Sequence, residues 1–289
     1  MIYFDHLPLD KEILEALEEL SIDYVFQPIF EPDGKTIYAW EALMRPTGKT
    51  VTELIQEYMD KDKLHVLEVA TFFGAMQAYF LRGYAQRVSI NSFPSDCMRG
   101  EEAEAFYDYF GEEIRGRMII ESLEYPYFSM EHWVEKNRSV RKMNNLLSVD
   151  DFGCGINDLE RVKIMKPHIV KLDRELICGI DHDPEKQANV EKLVLKFHED
   201  DILVVAEGVR KRKNSTISSA LESICSRDTT SHARNKTWRR SRCFNISRLC
   251  GSSRKRAPFL CGERRNRPPC SPLFHDKNWW ILYRKADVR

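Results

Sequence analysis

The sequence predicts an α/β protein with a parallel sheet closed into a barrel. Helical and strand-like segments alternate along residues 22–209, which argues for βαβ units. There are enough of these units for a closed barrel rather than an open sheet. Most of the strand-like segments also end in an acid, an amide or a lysine.

The elements follow in order. Residues 9–21 place Ile13, Leu14, Leu17 and Leu20 at helical spacing, an amphipathic opening helix within an N-terminal segment 1–20. Residues 24–45 hold two β-rich runs around Pro32-Asp33-Gly34, the pattern of a hairpin. Residues 50–81 read as helix, 87–93 as a short strand, 101–114 as helix and 117–123 as a strand. A helix over 129–145 precedes a strand over 146–153, and a Gly-containing loop leads to a strand at 168–173. Residues 184–201 are helical, and the apolar run 202–209 is a strand.

Composition divides the chain. Residues 210–289 hold 21 Lys and Arg against 5 Asp and Glu (+16), and residues 1–209 hold 23 against 40 (−17). Of the 8 cysteines, only Cys97, Cys154 and Cys178 precede the break, which fits a reducing compartment better than a disulfide framework. The N-terminus lacks a signal-peptide core, and no uninterrupted apolar run approaches the ~18 residues of a membrane span. A soluble cytoplasmic protein is expected.

The strand ends carry the chemistry. Glu41, Asn91, Glu121, Asp150, Asp151, Lys171 and Glu207 each close or follow an apolar run. In a barrel such ends meet at the C-terminal mouth, where these folds keep their active sites. Carboxylates converging there repel one another unless cations sit among them, and oxygen donors suit Mg²⁺, Mn²⁺ or Ca²⁺. The adjacent Asp150 and Asp151 suit two ions, and Lys171 would neutralise charge or orient a water. Two-metal hydrolysis of a phosphate ester is the expectation. Taken singly, a strand-end acid is more often a helix cap or a solvated loop residue; the repetition of the habit is what argues for a site.

In this order, "QPIF", "EALMR", "SINSFPS", "IIESLE", "VDDFGCG", "IVKLD" and "VVAEGV" resemble the signature of EAL-type cyclic-di-GMP phosphodiesterases, over roughly Tyr24 to Val209. The resemblance implies a modified (β/α)8 barrel (the EAL fold) spanning residues 21–209. It would hydrolyse cyclic-di-GMP to linear pGpG with two Mg²⁺ or Mn²⁺ ions. It assigns Glu41, Asn91, Glu121, Asp150, Asp151 and Glu207 to the metals and Lys171 to the attacking water. Lys171, Glu207 and Glu41 are thereby the catalytic candidates, and Arg45 and Gln27 would face the substrate. The loop after Asp151 departs from the family pattern at Cys154, Ile156 and Asn157, where relatives couple the metal site to a dimer interface. A homodimer is therefore among the expected partners, while DNA, RNA and a membrane are not.

After Val209 the family pattern stops. Codons built from the third base of one residue and the first two of the next permit "ETKELDYLISFGVDLLQGYYLARP" from Arg210 onward, the continuation the family would have. A shift of reading register is thus the expected origin of the tail 210–289, which is expected to be disordered. A basic nucleic-acid arm lacks a motif here, and Cys243, Cys250, Cys261, Cys270 and His275 lack the short spacing of a zinc site. A barrel without its last strand and helices would expose two sheet edges, so poor solubility and little or no activity are expected. The function classes are an enzyme or, alternatively, an inactive relative serving as a cyclic-di-GMP binder or protein-interaction module.

Overall fold

A computed structural model describes residues 7–153, 155, 157–210 and 278–283. The helix α1 (Lys11–Glu19) leads into an antiparallel pair, β1 (Ile22–Phe30) and β2 (Ile37–Pro46). Asp33 organises their turn by accepting from the backbone N–H groups of Lys35 and Thr36, at 2.8 Å each. The helical run at 50–81 is two helices, α2 (Val51–Asp60) and α3 (Leu64–Arg82), interrupted where Asp62 takes a left-handed φ of 55°. Thr50 and Glu53 close a reciprocal capping box on α2.

The barrel continues through β3 (Arg87–Ser92), α4 (Gly100–Phe110), β4 (Met118–Ser122), α5 (Met130–Lys142) and β5 (Leu146–Phe152). Next come α6 (Leu159–Met165), β6 (Ile169–Leu172), α7 (Arg174–Ile177), α8 (Pro184–Glu199) and β7 (Leu203–Arg210). The short α6 and α7 were not anticipated from the sequence. Each holds too few turns for its period to stand out, and each depends on an aspartate cap, Asp158 and Asp173 respectively. Strands β2 to β7 are parallel neighbours in chain order, as alternation predicts.

The barrel is of the expected class, with β7 the last strand of the expected order, and the gap after it is filled from the tail. An eighth strand, β8 (Asn278–Tyr283), closes the barrel by pairing antiparallel to β7 and parallel to β1. Its sequence, NWWILY, is a β-branched and aromatic run of strand composition set inside an Arg-rich tail. It pairs with β7 at five positions, with a register shift between Ala206 and Val209, and with β1 where Ile29 lies opposite Trp280 and Phe30 opposite Ile281. Leu282 is fully buried with Ile29, Ala39, Ile119, Ile169 and Val205, the apolar plug of the barrel interior. Arg210 and residues 278–283 of the tail are strand rather than disordered; for the rest of the tail the expectation lies outside the described residues.

The main core lies between the barrel wall and its helices. Tyr79, Phe73 and Met76 of α3 are wholly buried there, and Phe73 meets Phe106 of α4 edge to face at 5.1 Å. Such ring pairs add about 0.5–1.5 kcal/mol beyond area burial. The helix α3 is long and apolar enough to cross a membrane by length and composition, although His65, Glu68 and Gln77 interrupt its apolar run. Here most of its length is buried in the protein core. Ile13 and Ala16 of α1 join the same core.

Candidate active site

Strand periodicity builds the site. Alternate side chains of a strand face the same way, so Ala39 and Glu41, Ser89 and Asn91, Ile119 and Glu121, Ser148 and Asp150, Ile169 and Lys171, and Val205 and Glu207 share their strands' inner faces. The first-named members form the lower layer, apolar but for Ser89 and Ser148, and the second-named members form the polar layer above it.

Lys171 stands at the centre of that layer. Its Nζ lies 3.4 Å from Glu41 Oε2, 2.8 Å from Asp150 Oδ1 and 2.8 Å from Glu207 Oε1, and it donates to Glu121 Oε1. Glu121 also accepts from Ser89 Oγ at 2.5 Å. Glu41, Glu121 and Lys171 are all buried. Asn91 pairs in register with Glu121, and its Oδ1 is buried without a hydrogen-bond partner.

Asp150 and Asp151 would point to opposite faces of a regular strand. They do not, because the β5–β6 pairing slips between Val149 and Phe152 and Asp151 takes a left-handed φ of 49°. Aspartate tolerates that region better than most residues. Carboxylate oxygens of Asp150, Asp151 and Glu207 consequently come within 4.8 Å of one another. Asn157 anchors the bulge by donating from Nδ2 to the Asp150 carbonyl at 2.7 Å. Gly153, at φ +94°, is required there, since a Cβ would sit 2.4 Å from Leu176 Cδ1.

The charges do not balance: five carboxylates surround one ammonium. Burial and then the charge of Glu121 push Glu41 well above the usual carboxylate range. Burial likewise raises Glu121 to about 8, with Asp150 adding to it. Asp151 is raised to about 7 by burial and the Asp150 charge, and Glu207 is raised by burial. Burial alone would lower the pKa of Lys171, but Asp150, Glu121, Glu41 and Glu207 hold it well above normal.

The arrangement fits hard divalent cations. It offers carboxylate oxygens in excess, an unpartnered amide oxygen aimed from the same sheet face, and no soft ligand among the described site residues.

The structure thus brings together Glu41, Glu121, Asp150, Asp151, Lys171 and Glu207, with Asn91 beside them. Gln27 is the register partner of Glu41 on β1. Arg45 stands apart at the rim, exposed, with Nη1 donating to the Met44 carbonyl at 2.8 Å. Ser89 and Asp173 escaped the sequence reading. Each lies two residues from a recognised position, and that spacing was the available signal. Asp173 caps α7 and adds negative charge near Asp151 and Glu207.

A family model described as the EAL domain matches residues 10–223. The chain is 26% identical over 200 residues to the cyclic di-GMP phosphodiesterase TpdA of Vibrio parahaemolyticus, covering 68% of this chain and 34% of that protein. It therefore spans about a third of that relative's length. Among solved structures, a standalone EAL protein from Vibrio cholerae in its c-di-GMP-bound form superposes with a TM-score of 0.59 at 22% identity, covering 71% of this chain and 87% of that one. BlrP1 of Klebsiella pneumoniae, in complex with manganese and cyclic-di-GMP, gives 0.55 at 23% identity, over 70% and 52% of the respective chains.

Proposed function

The chain belongs to the EAL domain family, and on that premise we propose that it hydrolyses one phosphodiester of cyclic-di-GMP to give linear pGpG. The observation that carries this is the ring of five carboxylates around a single buried ammonium at the barrel mouth. Glu41, Asn91, Glu121, Asp150, Asp151 and Glu207 would hold two Mg²⁺ or Mn²⁺ ions. Such ions acidify water and withdraw charge from a scissile phosphate.

The side chains do the rest. Lys171, kept protonated by its acidic neighbours, donates from Nζ to orient the attacking water and to offset charge developing on the phosphate oxygens. Gln27, next to Glu41 on β1, and Arg45 at the rim would hold the dinucleotide. The guanidinium fork of Arg45 suits a phosphate. A cytoplasmic setting matches the substrate, a bacterial second messenger.

A second reading is a cyclic-di-GMP binder or interaction module without turnover. It is favoured by Arg210, which stands where the family pattern continues with glutamate.

Chromatography of cyclic-di-GMP incubated with the full chain and Mg²⁺ or Mn²⁺ separates the two. Turnover to pGpG that falls about a thousandfold in Glu41→Ala supports hydrolysis. Retained binding without turnover leaves the second reading, and neither binding nor turnover overturns both.

A further inference from the structure

We propose that the buried pair Glu68–Lys136 is a positioning element for Asn91 and, through it, for the cation site; this rests on the metal role given to Asn91 above. Asn91 differs from its neighbours in how it is held. Glu121 is fastened by hydrogen bonds from Ser89 and Lys171, Asp150 and Glu207 by ion-pair contact with Lys171, and Asp150 also through its carbonyl by Asn157. Among the described residues, Asn91 Oδ1 has neither a hydrogen-bond partner nor, on a neutral amide, an ion pair. Its aim is set by the backbone that carries it.

That backbone is gripped from outside the barrel. Glu68, on α3, accepts from Ser92 Oγ at 2.5 Å with Oε1 and from the Phe93 N–H at 3.0 Å with Oε2. Lys136, on α5, donates to the Phe93 carbonyl at 2.6 Å, to Ser92 Oγ at 2.5 Å and to Glu68 Oε1 at 3.1 Å. Both side chains are almost wholly buried, 1% and 6% exposed. The two residues after Asn91 are thus bound on both sides by charged groups from two different helices, while the N–H of Leu123, just past β4, donates to the Ser92 carbonyl at 3.1 Å.

An apolar pair of the same size would hold the helices together at least as well, because buried ion pairs add little net stability. What a charged pair adds is direction, since charge-assisted hydrogen bonds are short and angle-dependent. A metal ligand must be held within about 0.5 Å and 10–20° of its productive pose. Ser92 points away from the mouth because Asn91 points into it, so clamping Ser92 and Phe93 sets the roll of the strand at Asn91.

The test is Mn²⁺ affinity of the full chain, measured by calorimetry below the unfolding midpoint for wild type, Glu68→Gln, Asn91→Ala and the double variant. Glu68→Gln should weaken Mn²⁺ binding about tenfold or more, the usual effect of losing an outer-shell partner. The double variant should bind no more weakly than Asn91→Ala alone, because residue 68 acts only through residue 91. Unchanged affinity in Glu68→Gln, with only a lower melting temperature, would show a purely structural pair and overturn the proposal, as would additive effects. Should Glu68→Gln not fold, Glu68→Gln/Lys136→Met, which leaves no lone buried charge, takes its place in the cycle. A folded wild type that binds no Mn²⁺ overturns the metal reading and this proposal together. A wild type that binds Mn²⁺ alongside an unaffected Glu68→Gln overturns only this one.

Discussion

Two lysines are buried on either side of the barrel wall, and their surroundings differ in one respect. Lys136 meets a single carboxylate, Glu68, with a hydroxyl and a carbonyl completing its shell. Lys171 meets four carboxylates directly, and Asp151 makes a fifth nearby. A balanced pair needs no further cation. An unbalanced ring stores repulsion that only added cations or protons relieve, which is the signature of a site built to bind something.

The largest effect that could break this comparison comes from removing each cation. Lys136→Met leaves Glu68 buried without an opposite charge, and should cost about 3–5 kcal/mol. Mn²⁺ should not restore it. Lys171→Met should destabilise the metal-free chain by a similar amount, but Mn²⁺ should restore most of the loss by entering the ring. Urea denaturation with and without Mn²⁺ measures both; equal rescue of the two variants would remove the distinction.

Proton uptake gives the next effect. Folding raises the acids of the ring, with Glu121 reaching about 8 and Asp151 about 7, so the metal-free folded state binds more protons than the unfolded chain. Their contribution is therefore greatest below pH ~4, where both states are protonated, and is lost as pH rises through 7 to 8. The melting temperature of metal-free protein should fall over that range, and saturating Mn²⁺ should flatten the fall.

A third, partly buried cluster sharpens the comparison by a smaller amount. His65 lies between Asp96 at 2.9 Å and Glu102 at 2.8 Å, and its hydrogen bonds to Asp96 and then Glu102 raise it to about 9. This stabilisation is complete below pH ~6.5 and disappears as pH passes 9. It amounts to about 2 kcal/mol once its partial exposure is allowed for. His65→Gln should lose that slope, while Mn²⁺ should leave it unchanged, since the cluster already has its own cation.

Much of this was legible in the chain. Glu41, Glu121, Lys171 and Glu207 could be read as one ring because each ends an apolar strand and the strands alternate with helices. Asp150 and Asp151 were legible as residues but not as neighbours in space, since strand periodicity separates them and only the bulge at Asp151 reunites them. The clamp behind Asn91 was not legible, because Glu68 and Lys136 sit on helices whose apolar stripes say nothing about a charged pair between them. The strand at 278–283 was not legible, because six residues of strand composition were outweighed by the basic sequence around them.

The sequence by itself determined the alternation of elements, the polarity of each strand end and hence the kind of chemistry at the mouth, because these follow from local periodicity and side-chain type. The tertiary structure alone decided that four acids share one ammonium with a fifth beside them, that two helices hold the strand beside Asn91, and that β1 and β7 find a common partner in β8. Those are relations between residues far apart in the chain, and they arise only when closure of the barrel brings the residues into contact.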